Sequence, residues 1–174
     1  MTTLADVNAL PARAAQPLFA ACCGAPAWVS AMLACRPYSS LADMQKISDE
    51  ICAQLSPDQW LAAFAHHPRI GEERAAADVS DTAQQWSAGE QSAAVMGDDG
   101  QDELRELHRQ YEQRFGYIFI ICASGRSADE ILESLRTRMD NAPDAELRAA
   151  AEEQRKIARL RLEKLVGPHR ETSA

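Results

Sequence analysis

The stretch PDAELRAAAEEQRKIARLRLEKLV, residues 143–166, decides the architecture. Pro143 suits the first turn of a helix, where its missing N–H is not needed. Gly167 and Pro168 follow as stop signals. Between them lie strong helix formers, with Leu147, Ala151, Ile157, Leu160, Leu162 and Leu165 as apolar positions. The spacing predicts one long helix. Arg155, Lys156, Arg159 and Arg161 give it basic character. Arg161 sits between Leu160 and Leu162, close to the apolar stripe. An arginine there needs an anionic partner or a route to solvent.

The same punctuation repeats upstream. Leu4 to Leu10 is a short helix ended by Pro11, and Ala12 to Cys22 stops at Gly24. Pro26 starts Ala27 to Cys35, and Pro37 ends it. Ser39 or Ser40 caps Leu41 to Leu55, whose Met44, Ile47, Ile51 and Leu55 recur at three- and four-residue spacing. Ser56 and Pro57 read as N-cap and first residue of a helix through Trp60 to Ala65. Asp81 or Thr82 opens another that carries Trp86 to Val95. Asp102 to Phe115 is helical by Leu104, Leu107, Tyr111 and Phe115, and Ser127 with Glu130 forms a capping box for Ala128 to Met139. Gly71 to Ala83 is weakly patterned, and Met96 to Gln101 reads as a turn cluster. The expectation is an all-α, single-domain bundle of about eight to nine helices.

One segment resists. Tyr117-Ile118-Phe119-Ile120-Ile121-Cys122 is the only β-branched and aromatic run in the chain. As a strand it has no partner. It reads as a buried extended or irregular helical segment, whose backbone must find hydrogen bonds outside a ladder, a ligand being one source.

Composition agrees. The 174 residues are 46% hydrophobic, 25% charged and only 6% aromatic. Alanine, which favours helices and disfavours strands, is abundant. The net charge of −8 has the wrong sign for a duplex nucleic-acid binder. Three lysines (Lys46, Lys156, Lys164) stand against fifteen arginines. That skew fits either recognition of planar anions or genome base composition. Five cysteines, Cys22, Cys23, Cys35, Cys52 and Cys122, with no CxxC pair, predict reduced residues rather than a disulfide framework or zinc ribbon. No apolar run approaches a membrane span, and no basic-then-apolar leader opens the chain. The expected location is the cytoplasm, with no nucleic-acid or membrane partner.

Three further clusters carry chemistry. His66-His67-Pro68-Arg69-Ile70-Gly71 lies where a helix ends, because Pro68 disfavours α conformation at His67. A helix C-terminus raises a histidine's proton affinity, which suits a general acid or base. The plainer alternative is a pair of surface histidines at a turn. Adjacent histidines make a poor metal site, and no HExxH is present. Ser87, Glu90 and Gln91 share a helical face and present a hydroxyl, a carboxylate and an amide, suited to an amide-rich ligand or to solvent. Ile121 to Ser127 offers backbone groups to a ligand, or simply runs from the core into a cap.

These segments occur in a telling order. Trp28, Arg36-Pro37, Trp60 with Ala63-Phe64, His67-Pro68-Arg69-Ile70-Gly71 and Ser87-x-x-Glu90-Gln91 come first. Tyr111-Glu112-x-Arg114-Phe115-Gly116, Phe119 to Ala123, Gly125-Arg126-Ser127, Glu130-Ile131-Leu132, Arg138, Asn141 and Lys156-Ile157 to Leu162 follow. The ordered set resembles the 2-oxo-4-hydroxy-4-carboxy-5-ureidoimidazoline (OHCU) decarboxylase family, over residues 5 to 166, leaving 167 to 174 as a tail to one domain spanning 1–174. The resemblance implies an all-helical, cofactor-free, metal-free homodimeric carboxy-lyase of urate degradation. It would convert its small anionic ureidoimidazoline substrate to (S)-allantoin and CO2.

By position, His67 matches the family's catalytic histidine and Arg161 an arginine of its site. Glu90 is expected to hold His67 or the ureido N–H groups. Pro68, Ser87, Glu90, Gln91 and the run Phe119, Ile120, Ile121, Cys122 and Ala123 match substrate-binding stretches. His108 departs from the pattern, standing where family members often carry asparagine. Two other classes are a non-catalytic acidic helical interaction module and a hydrolase of a ureido or cyclic amide compound. The hydrolase would more often need a metal cluster or an activated nucleophile.

Overall fold

A computed structural model describes residues 2–68, 86 and 98–167. The described residues form eight helices and no strand: α1 (Leu4–Ala9), α2 (Ala12–Cys22), α3 (Pro26–Ala34), α4 (Leu41–Gln54), α5 (Pro57–Phe64), α6 (Asp98–Phe115), α7 (Ala128–Met139) and α8 (Pro143–Val166). The protein is all-α, as its punctuation predicts. Capping boxes start α1 at Thr3, α5 at Ser56 and α7 at Ser127, each side-chain oxygen accepting from a backbone N–H three residues on. Among the described residues no helix is long and apolar enough to cross a membrane.

One expectation changes and one falls mostly outside the described residues. Asp98 to Gln101, read as a turn, belong to the first turn of α6. Acidic residues favour a helix N-terminus because its N–H groups and dipole attract negative charge. The helix expected over Trp86 to Val95 lies outside the described residues except for Trp86, which is helical and packs against the main core.

α8 is the central strut and packs against α4, α2 and α5. Its buried face is Glu146, Ala150, Glu153, Gln154, Ile157, Ala158, Arg161, Leu162 and Leu165. That face is rotated from the one read off apolar residues alone. Leu147, Ala151 and Leu160 are only partly buried, while four polar side chains lie inside. The rotation follows from hydrogen bonding. A buried polar group is tolerated when partners meet it, and most of these find them.

The core comprises two clusters. The larger joins α2, α3, α4, α5 and α8 around Phe19, Trp28, Met32, Met44, Phe64 and Leu162. Trp28 Nε1 donates to Ser48 Oγ at 3.2 Å, which satisfies both buried groups. The smaller joins α6 and α7 around Tyr111, Phe119, Ile131 and Leu135. Tyr117 packs against both. The segment that resisted assignment therefore runs along the seam between them.

That segment forms neither helix nor strand. Gly116, with φ of 82°, closes α6 in the left-handed region and turns the chain into it. Side chains then supply the missing ladder. Arg138 donates to the Ile120 carbonyl at 2.8 Å, and the Cys122 N–H donates to Glu153 Oε2 at 2.8 Å. Phe119 lies beneath the Arg138 guanidinium, 4.5 Å from its ring centroid, and edge-on to Tyr111 and His108.

Candidate active site

His67 is delivered by the end of α5. The His66 and His67 N–H groups bond the carbonyls of Ala63 and Phe64 at 3.2 and 3.0 Å, a tightened final turn that Pro68 cannot prolong. Adjacent residues on such a turn point apart, and the two histidines separate accordingly. His66 lies directly over Gly24, where a Cβ would stand 2.2 Å from its Cγ. His67 instead reaches α8, and its Nε2 lies 2.7 Å from Gln154 Oε1.

An amide oxygen only accepts, so the imidazole donates from Nε2 and keeps its lone pair on Nδ1. Burial and the nearby Arg161 charge pull the His67 pKa down from 6.5 to about 3, against the opposing effect of Gln154. This reverses the expectation that the helix C-terminus would raise its proton affinity. Desolvation and a cation outweigh a partial dipole charge. His67 is therefore a neutral base at physiological pH.

Arg161 is 2% exposed, and one of its terminal nitrogens donates to the Ala21 carbonyl at 3.2 Å. The last turn of a helix leaves carbonyls without intrahelical partners. Arg161 thus caps α2 from inside the core instead of reaching solvent. It lies seven residues from Gln154, on the same face of α8, with His67 alongside both.

The 119–123 stretch passes the same turn of α8, because Cys122 is tied to Glu153, next to Gln154. Phe119, Ile120, Ile121 and Ala123 are buried, so contact from this stretch falls to the backbone and to Cys122. Three of its backbone groups, the Ile120 carbonyl, the Cys122 N–H and the Ala123 carbonyl, are already engaged by Arg138, Glu153 and the Arg126 N–H. Burial opposes the charge on Glu153, but hydrogen bonds from Lys156 and the Cys122 N–H hold its pKa below the ordinary carboxylate value. Pro68 follows His67 directly and is partly buried. Ser87, Glu90 and Gln91 lie outside the described residues.

The structure brings together His67, Arg161 and the 119–123 stretch, and adds Gln154, Glu153 and the Arg138–Glu146 pair. Sequence reading missed the first two and gave Arg138 no role. The available signal was polar residues at helical spacing, 146, 153, 154 and 161, on a face that must be buried. No group of three His, Cys, Asp or Glu side chains among the described residues is placed to hold a metal. Two grooves lie elsewhere. One, of about 590 Å³, runs along α7 past Arg126, Glu133 and Thr137. The other, of about 380 Å³, lies between Trp60, Asp49 and Arg155. Neither is lined by His67, so chemistry and not cavity size identifies the site.

Comparison with known proteins points the same way. Residues 8–163 match the family model described as OHCU decarboxylase. The chain is 39% identical over 146 residues to the uric acid degradation bifunctional protein TTL of Arabidopsis thaliana, covering 83% of this chain and 45% of that protein. It is 28% identical over 127 residues to the 2-oxo-4-hydroxy-4-carboxy-5-ureidoimidazoline decarboxylase of Haloferax volcanii, covering 73% of each. A crystal structure of OHCU decarboxylase in the presence of (S)-allantoin superposes with a TM-score of 0.74 at 33% identity, covering 87% of this chain and 99% of that one. The chain spans less than half the length of the Arabidopsis protein and 34% of the bifunctional PucL of Bacillus subtilis.

Proposed function

The chain belongs to the OHCU decarboxylase family, and from that premise we propose that it decarboxylates 2-oxo-4-hydroxy-4-carboxy-5-ureidoimidazoline to (S)-allantoin. The observation that carries this reading is a neutral imidazole held by an amide beside a buried arginine.

The substrate supplies its own electron sink. Its carboxylate and hydroxyl share ring carbon C4, and neighbouring C5 is doubly bonded to N1. When the bond from C4 to the carboxylate breaks, its electron pair forms a C4–C5 double bond. The imine pair moves to N1, which takes up a proton. The hydroxyl proton then leaves and C5 is protonated, giving the C4 carbonyl of allantoin. Each CO2 released from the carboxylate consumes one proton overall. The protein must orient the ring, bind the anion and manage protons on one face.

His67 Nδ1 is the base that takes the hydroxyl proton. An anionic substrate nearby raises the proton affinity of His67, so the imidazolium forms only when the site is filled. Arg161 draws in an anionic or carbonyl oxygen of the substrate. Backbone groups of Phe119 to Ala123 take the ring and ureido arm, with Pro68 closing the turn beside them. From the family resemblance, Ser87, Glu90 and Gln91 contribute polar groups to substrate binding, with Glu90 assisting His67 or the ureido N–H groups. The active form is a cytoplasmic homodimer; light scattering after size exclusion would reveal a monomer if that is wrong.

Spontaneous decay protonates planar C5 from both faces and yields a racemate. Catalysis is therefore read by circular dichroism of allantoin made from freshly generated substrate. Excess (S)-allantoin, formed faster than without protein, supports the reading. His67→Asn should abolish both signals while keeping the helical far-ultraviolet spectrum. Racemic product at the uncatalysed rate with the unaltered protein would reject it.

A further inference from the structure

Gln154 is 4% exposed, yet its amide is only half used. Oε1 meets His67 Nε2 at 2.7 Å, while the Gln154 Nε2 is buried and meets no hydrogen-bond partner among the described residues. A buried amide nitrogen without an acceptor is costly, and leucine would fill similar space on this face of α8 without that cost. A polar group kept under those conditions is suited to a partner that arrives later. The arriving partner here is an oxygen-rich anion.

We infer that Gln154 is a positioning residue for His67 and a donor to the bound ligand. Its Oε1 holds the imidazole as the Nε2–H tautomer, which leaves Nδ1 for the reaction. Its Nε2 donates to a carboxylate or ring-carbonyl oxygen of the ligand, at a point fixed relative to the base because one planar amide makes both contacts. Arg161 on the same face supplies charge, while Gln154 supplies direction and, being neutral, raises the His67 proton affinity less than a carboxylate would. This rests on the assignment of His67 as the acid–base group.

The test uses the whole protein with ¹⁵N-labelled histidine and needs no substrate for its first readout. Nitrogen shifts should show His67 protonated at Nε2 and bare at Nδ1 in the unaltered protein, and a tautomer mixture in Gln154→Leu. An Nδ1–H imidazole in the unaltered protein would overturn the inference.

The second readout is kinetic. Gln154→Leu should lower kcat/KM by about 10- to 100-fold. Gln154→Glu keeps an acceptor for His67, removes the donor and adds a negative charge. It should raise KM and move the acidic limb of the pH profile towards neutrality. If both variants only lower the unfolding midpoint, with tautomer, KM and pH profile unchanged, Gln154 is structural and the inference fails. Failure of the unaltered protein to make excess (S)-allantoin would count against the decarboxylase reading, and the tautomer spectrum would still report on Gln154.

Discussion

Arg138 donates to Glu146 Oε1 through Nε at 2.9 Å and through a terminal nitrogen at 2.5 Å, inside a core where Glu146 is wholly shielded from solvent. Tyr111 donates to the same oxygen and Asn141 to the other, at 2.7 Å in the latter case. Burial, reinforced by the carboxylate beside it, pushes the Tyr111 hydroxyl pKa up, so the tyrosine stays a donor. Through its remaining nitrogen Arg138 holds the Ile120 carbonyl. One ion pair thus ties α6, α7 and α8 to the 117–123 segment.

Glu146→Ala should cost about 3–5 kcal/mol of stability, because it strands the Arg138 charge in the core. Urea unfolding followed by far-ultraviolet circular dichroism measures it. Replacing Arg138 and Glu146 together by methionine and leucine should cost less than the single change. Additive losses would contradict the pairing.

Glu153→Ala should free the Cys122 N–H. Hydrogen exchange at that amide should accelerate, and KM should rise as the segment loosens, with a stability loss of about 1–2 kcal/mol. Glu153→Gln retains an oxygen acceptor and should keep the amide largely protected. Equal exchange rates in both variants would contradict the bond.

Gly24→Ala tests the separation of the two histidines. A Cβ there stands 2.2 Å from His66 Cγ and 2.4 Å from its Cβ, so the turn carrying His67 must shift. Overpacking of this kind costs about 1–3 kcal/mol. The thermal midpoint should fall by several degrees, and turnover should fall with it. An unaltered midpoint would mean that His66 does not pack there.

His67 also predicts a pH dependence of stability. Its folded pKa, about 3, lies below the unfolded value of 6.5. Above 6.5 both states are neutral and the contribution is intact. As pH falls from 6.5 towards 3 the unfolded chain takes up the proton first, so stability is lost. The loss is at most about 1.4 kcal/mol per pH unit. Carboxylates add their own slopes, so the readout is the difference between the unaltered protein and His67→Asn in urea midpoints at pH 7 and pH 5. Parallel changes would show that His67 titrates normally.

Much of the helical layout is legible before any folding is considered. Pro26, Pro57 and Pro143 start helices, and Ser40, Ser56 and Ser127 cap α4, α5 and α7, because these effects act within a turn of the residue concerned. Residues 98–101 read as a turn yet are helical for the converse reason: glycine and aspartate suit both a loop and a helix N-terminus, and local chemistry does not choose between them. In the site, His67 and Arg161 were visible by residue type and order. Gln154 and Glu153 were not, since each sits among charged neighbours that look solvated until α4, α5 and α2 close over the helix.

The sequence by itself determined an all-helical chain, its acidic balance, and an ordered set of residues specific enough to point to one family. Short-range rules of capping, propensity and periodicity carry that information along the chain. Only the tertiary structure decided which face of α8 is buried, that Arg161 caps α2, that His66 is spent on packing while His67 meets Gln154, and that Arg138 and Glu153 replace a strand partner for residues 117–123. Those outcomes depend on desolvation and on hydrogen bonds between groups up to 140 residues apart. Such interactions have no strength until packing excludes the water that would otherwise satisfy them.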